Sequence, residues 1–158
     1  MNLLLESPAS VPYFTDVGAM LRGMGVAPIE FDWYISDIDT NIFFPGLPAS
    51  DSWLTGPELA SILSHADLQF VWGVFSAVPR GTRFDVEQSP GADGNSRYWR
   101  DDGTLAPQLD GAVFELTAWD SSATILIGIT AEQARRFVWA YPEAKPLHMA
   151  ATDPWRFG

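Results

Sequence analysis

Gly111-Ala-Val-Phe-Glu-Leu-Thr-Ala-Trp-Asp-Ser-Ser-Ala-Thr-Ile-Leu-Ile-Gly-Ile-Thr130 is the stretch whose reading decides the fold. Both arms are rich in β-branched and aromatic residues, and Asp120-Ser121-Ser122 between them has turn chemistry, so the stretch predicts a β-hairpin. Val113, Ile125, Leu126, Ile127 and Ile129 leave little polar surface on either face. Strands of that kind belong in the middle of a sheet, covered on both sides by helices or loops. The rest of the chain has to supply that cover.

Working outward, 68–78 is a second strongly apolar strand stopped by Pro79, and it is the natural sheet neighbour of the hairpin. Residues 31–37 alternate, with Phe31, Trp33 and Ile35 on one face and Asp32, Tyr34 and Ser36 on the other. Asp37-Ile38-Asp39-Thr40 predicts a turn into a further strand over 40–44, halted by Pro45-Gly46. Leu3-Leu4-Leu5 predicts a short first strand within 2–6. Helices are expected near 11–23, capped by Ser10, near 56–65, capped by Thr55 with Glu58 in the capping-box position, and near 130–140, capped by Thr130 with Gln133. Ala134, Phe137, Val138 and Tyr141 read as the inner stripe of the last helix, and a short strand is expected within 146–149. The 80–108 segment is dominated by Gly, Pro, Asp, Ser and Arg and reads as an irregular insertion, the kind of segment that is either functional or mobile. The result is a single α+β domain over 1–158: a mostly antiparallel central sheet of five to six strands, packed by two to three helices, with a short tail over 150–158.

A chain of 158 residues with 47% hydrophobic and 13% aromatic content supports one core. Cysteine is absent, which excludes disulfides and thiolate metal sites. Met1 to Glu6 lacks the basic start and the long apolar run of a signal peptide, so a cytoplasmic protein is expected. A formal charge of −11 and a pI near 4.3 oppose binding to nucleic acid or anionic membrane, which need a basic footprint. Between Arg22 and Arg80 there is no Lys or Arg, while Glu30, Asp32, Asp37, Asp39, Asp51, Glu58 and Asp67 fall there. That run is read either as a solubilising surface or as a one-sign face aimed at a basic partner.

Signatures of catalysis are weak. Asp37 and Asp39 have the spacing of carboxylate pairs that hold a hard cation, but the same residues serve turn geometry, and no metal or cofactor is expected. Only His65 and His148 are present, and His65 reads as a helix-end residue. Nucleophile-elbow, Walker, Rossmann and zincin motifs are all missing. Arg80, Arg83, Arg97 and Arg100 gather in the insertion with Tyr98 and Trp99, interleaved with acids that neutralise them. Of the tryptophans, Trp33, Trp72, Trp119 and Trp139 lie inside predicted elements and read as core, whereas Trp53 and Trp99 lie in loops and read as interface anchors.

The order of elements, with Phe31-Asp32-Trp33-Tyr34-Ile35, the apolar strand at 68–78 and the hairpin closing on Trp119-Asp120-Ser121, is similar to that of a bacterial domain family of unknown function over most of residues 1–149. The insertion at 80–108 departs from it. More broadly, the chain resembles the immunity proteins of bacterial polymorphic and contact-dependent toxin systems, small acidic α+β domains that bind and occlude a toxin. The resemblance carries no catalytic residue. It implies a non-catalytic domain that neutralises a cognate basic toxin; from the acidic run and the loop aromatics, Asp37, Asp39 and Asp51 are expected to close over a basic cleft with Trp53 as anchor. The alternative is a small enzyme or anionic-ligand-binding domain whose site lies under the insertion and uses Arg83, Arg97 and Trp99. A homodimer interface would be a third use for the apolar excess.

Overall fold

A computed structural model describes residues 1–6 and 16–151, with the side chain of Ala151 left aside. Its centre is a seven-stranded open antiparallel sheet. The strands are β1 Leu3–Glu6, β2 Asp32–Thr40, β3 Ser52–Leu54, β4 Phe70–Val78, β5 Phe114–Trp119, β6 Ala123–Ile127 and β7 Lys145–Pro146, in the order β3-β2-β4-β5-β6-β1-β7. The helices are α1 Val17–Met24, α2 Gly56–Leu63, α3 Ala131–Ala140 and the short α4 Leu147–Ala151. The expected α+β class with an antiparallel sheet is present; of the six strands expected at its centre the one over 40–44 is missing, and the short edges β3 and β7 bring the count to seven.

The hairpin forms as its sequence predicts, with Glu115 opposite Ile127 and Trp119 opposite Ala123. Asp120 and Ser121 take φ of 49° and 52°, the left-handed conformation that closes such a loop, and the Ser122 amide donates to the Trp119 carbonyl at 2.8 Å. Gly128, at φ 76°, ends β6 two residues earlier than the apolar run suggests.

One face of the sheet is covered by helices. Leu3, Leu5, Trp33, Ile35, Phe75, Phe114, Leu116 and Leu126 meet Met20, Leu21 and Met24 of α1, Leu59 and Ile62 of α2, and Phe137 of α3. Full burial of side chains such as Phe75 and Phe114 stabilises by about 2–3 kcal/mol each. The caps hold these helices as read: Thr55 Oγ1 accepts from the Glu58 amide at 3.2 Å, and Thr130 Oγ1 from the Gln133 amide at 3.1 Å. Asp16 caps α1, accepting from the Ala19 amide at 3.0 Å; Ser10 lies outside the described residues.

The opposite face is covered by residues 79–113 together with α4. Leu4, Ile125 and Ile127 meet Tyr98, Trp99 and Leu147, while Tyr34 and Val78 meet Leu109. The segment that composition marks as irregular is therefore the second layer of the molecule, with a 3-10 turn at Ser96–Arg100 as its regular piece.

Three expectations need correction. No strand forms over 40–44; β2 instead runs to Thr40, and its partner on that edge is β3. The Asp37 turn signal is real but is used for a β-bulge inside β2, where the pairing shifts between Ser36 and Asp39 and Asp37 sits at φ 52°. The stretch 146–149 is strand only at Pro146, after which α4 begins.

Candidate functional site

Several acidic residues that the sequence places on an outer face instead fasten the insertion to the sheet. Asp32 is buried at the start of β2. Its Oδ1 accepts from the Gly56 amide at 3.2 Å, and its Oδ2 accepts from the Gly81 amide at 2.8 Å and from the Arg83 guanidinium at 3.0 Å. Burial opposes ionisation there, but these three donors outweigh it and hold the carboxyl below its ordinary range. Arg83 also lies 5.2 Å from the Trp53 ring centroid, and Trp53 packs edge-on against Tyr34 and Phe84. Trp53 is therefore half-buried in a box of its own neighbours rather than free in a loop.

Asp37 has a similar task. Its Oδ2 accepts from the amides of Ala92 at 2.8 Å and Asp93 at 2.9 Å, while its own amide donates to Asp51 Oδ1 at 3.0 Å. The bulge aims the Asp37 carboxylate into the insertion. Asp39, two residues on, is exposed.

Below the insertion, in the middle of the sheet, Glu115 is fully buried. Tyr98 Oη donates to its Oε2 at 2.6 Å, and the Gln108 amide donates to its Oε1 at 2.8 Å. Thr117 Oγ1 lies 2.8 Å from the same Tyr98 hydroxyl, and Gln108 Nε2 donates to that hydroxyl at 2.8 Å. Burial pushes Glu115 up, against the pull of these donors, and burial together with Glu115 pushes Tyr98 well up. Beside this network the hydroxyls of Ser36 and Ser76 are buried without a hydrogen-bond partner. A hollow of about 500 Å³ opens above Gln108, walled by Ser89 and Pro90 on one side, Thr104 to Pro107 on the other, and Arg97. Trp99, read as a loop anchor, is instead buried with its ring against Trp119 at 5.0 Å, so it supports this layer from within.

The surface left open at the β2–β3 end is made by the loop that follows β2. Asn41 Nδ2 donates to the Asp67 carbonyl at 3.1 Å, and Asn41 Oδ1 accepts from the Gln69 amide at 2.8 Å, which docks the loop on the connection before β4. Phe44 turns inward against His65 at 4.6 Å. Phe43 turns outward and is 89% exposed, with Ile42 beside it 43% exposed. Asp39, Asp51 and Asp67 are all exposed around that loop. His65 itself sits past the end of α2 with Nδ1 3.2 Å from the Ser61 carbonyl, the helix-end placement its position suggests.

No protein-family model, curated protein or solved structure matches the chain. Among the described residues no group of three or more His, Asp or Glu side chains is placed to hold a metal ion, and no helix is long and apolar enough to cross a membrane.

Sequence reasoning missed Phe43, because one phenylalanine in Ile42-Phe43-Phe44 reads like its neighbours when the run is taken as a strand. It also missed Glu115 and Thr117. Their signal was available: two polar residues at period two inside an otherwise apolar hairpin arm mark one face of that strand as polar and buried.

Proposed function

We propose that the chain is a cytoplasmic, non-catalytic protein-binding domain of the immunity-protein kind, which closes over a basic cleft on a cognate toxin. The observation that carries this reading is Phe43, 89% exposed on a loop rimmed by the exposed Asp39, Asp51 and Asp67, in a stretch from 23 to 79 without a single Lys or Arg. Exposed carboxylates steer a cationic partner to the surface, and a protruding aromatic supplies the buried area that holds it. Phe43 takes the anchoring role assigned to Trp53 by its position in the sequence. Asp37 contributes less than Asp39 and Asp51, because its carboxylate is engaged by the Ala92 and Asp93 amides.

The test is an affinity pull-down of the tagged protein with the product of its neighbouring gene over a range of salt. A complex weakened by salt, with association slowed by the double substitution D39N/D51N and dissociation sped by F43A, supports the reading. Absence of a partner at every salt concentration defeats it.

The hollow above Gln108 favours a second reading, a site for a small anionic ligand held by Arg97. Its lining is polar, with Gln88, Ser89, Thr104 and Gln108 beside Arg97, which sets it apart from an ordinary packed loop. Inorganic phosphate and small dicarboxylates titrated against the protein and its R97A variant test it directly; heat of binding absent from both removes it.

A further inference from the structure

Trp139 is read from sequence as core, and it is instead 88% exposed. The reason lies in helix geometry. The inward stripe of α3 is Ala134 and Phe137, and a residue two positions past Phe137 points about 200° around the helix. Val138, also 39% exposed, and Pro142 extend the apolar surface on one side of the indole. On its other side is a groove of about 450 Å³ between α3 and the end of α1, lined by Arg22, Gly23, Gly25, Arg135 and Arg136, with the Arg136 side chain lying against Gly25. Glu132 pairs with Arg135 and with Arg136, the latter at 2.9 Å. Arg22 has no carboxylate at ion-pair distance among the described residues. A protein of net charge −11 thus gathers three of its nine basic side chains around one exposed tryptophan.

A two-fold contact through this groove would set the arginines against their own copies, which disfavours the surface pairing with itself. The occupant that fits is acidic and carries an apolar anchor. The chain presents such a surface elsewhere: Phe43 with Asp39, Asp51 and Asp67. We propose that the groove between α1 and α3 receives the Phe43 surface of a second copy of this chain, in a head-to-tail contact. The Phe43 ring enters beside the Trp139 indole while the aspartates meet Arg22 and Arg136. Because the two surfaces lie at different places on one molecule, the contact repeats, and the protein associates into short open or closed assemblies whose size rises with concentration and falls with salt. This inference shares the acidic surface with the proposed function but needs no basic partner, so an empty pull-down leaves it standing.

Sedimentation equilibrium on the wild type, F43A, W139A and an equimolar mixture of the two variants tests it. Both residues are exposed, so each substitution should leave the fold intact, as thermal melts will verify. The expected result is a concentration-dependent mass for the wild type and monomers for each variant alone. The mixture should give a one-to-one dimer that grows no further, since F43A keeps its groove and W139A keeps its acidic surface. A wild type that stays monomeric up to millimolar concentration overturns the proposal. So does a mixture that stays monomeric, or association that W139A abolishes and F43A does not, which would instead mark a two-fold contact at Trp139.

Discussion

The hydroxyl of Tyr98 donates to Oε2 of Glu115 across 2.6 Å, joining the irregular 79–113 layer to the middle of the sheet at a point closed to solvent. Gln108 completes the junction by donating both its backbone amide and its side-chain amide to the same carboxylate. A buried carboxylate is tolerated here because its oxygens are met by donors.

Glu115→Gln keeps an oxygen for one donor and removes the burial of a charge, so its stability at neutral pH should lie within about 1 kcal/mol of the wild type. Glu115→Ala leaves the Gln108 amide and the Tyr98 hydroxyl short of acceptors and should cost about 2–4 kcal/mol. Urea unfolding of both variants distinguishes a structural junction from an incidental contact.

The same residue sets a pH dependence. Burial raises the folded Glu115 above its unfolded value, so the folded state binds the proton more tightly. Its contribution to stability is therefore fullest below the ordinary glutamate range, near pH 4.3, and declines as pH rises to the raised folded value. Asp32 acts in the opposite sense. With its folded pKa lowered, it contributes stability above the ordinary aspartate range, near pH 3.9, which is lost as pH falls through the folded value. Thermal melts across pH should show E115Q flattening the first limb and D32N the second. Equal pH profiles for wild type and variants would contradict both assignments.

Asp37→Gly retains the left-handed backbone that the bulge requires while removing the carboxylate that holds the Ala92 and Asp93 amides. Amide exchange over 91–95 should rise at least tenfold, while the β4–β5–β6 amides are much less affected. An unchanged exchange rate in that loop would mean that the Asp37 contact does not hold the insertion.

Gly56 opens α2, where alanine is ordinarily the better helix former by about 1 kcal/mol. A Cβ there would lie 2.5 Å from the Phe31 carbonyl oxygen and 2.7 Å from Ile29 Cα, both backbone atoms. Overpacking of that kind costs about 1–3 kcal/mol or more. Gly56→Ala should therefore lower the melting temperature; a neutral or stabilised variant would show that α2 does not depend on its close approach to residues 28–31.

Much of the fold was legible because its signals are local. The caps Thr55 and Thr130, the alternation of 31–37 and the Asp120-Ser121-Ser122 turn each depend on residues within one or two turns of chain, and each element forms where its signal lies. Asp37 shows the limit of a local signal. Its preference for left-handed backbone announced a break in the strand, but whether that break became a turn or a bulge depended on whether β4 continued to pair beyond it.

The candidate surfaces were less legible. Asp32, Asp37, Asp39 and Asp51 look alike in sequence, yet Asp32 binds Arg83, Asp37 binds the insertion, Asp51 accepts from the Asp37 amide, and Asp39 is exposed. By itself the sequence determined the apolar central strands of the sheet and the acidic balance, since periodicity and charge count need no knowledge of what lies opposite. Only the tertiary structure decided which carboxylates face inward, that Trp53 and Trp99 are covered, and that Phe43 and Trp139 are not. The physical reason is that alternation assigns a side chain to a face of a strand, whereas burial depends on the segment, distant in sequence, that packs on that face.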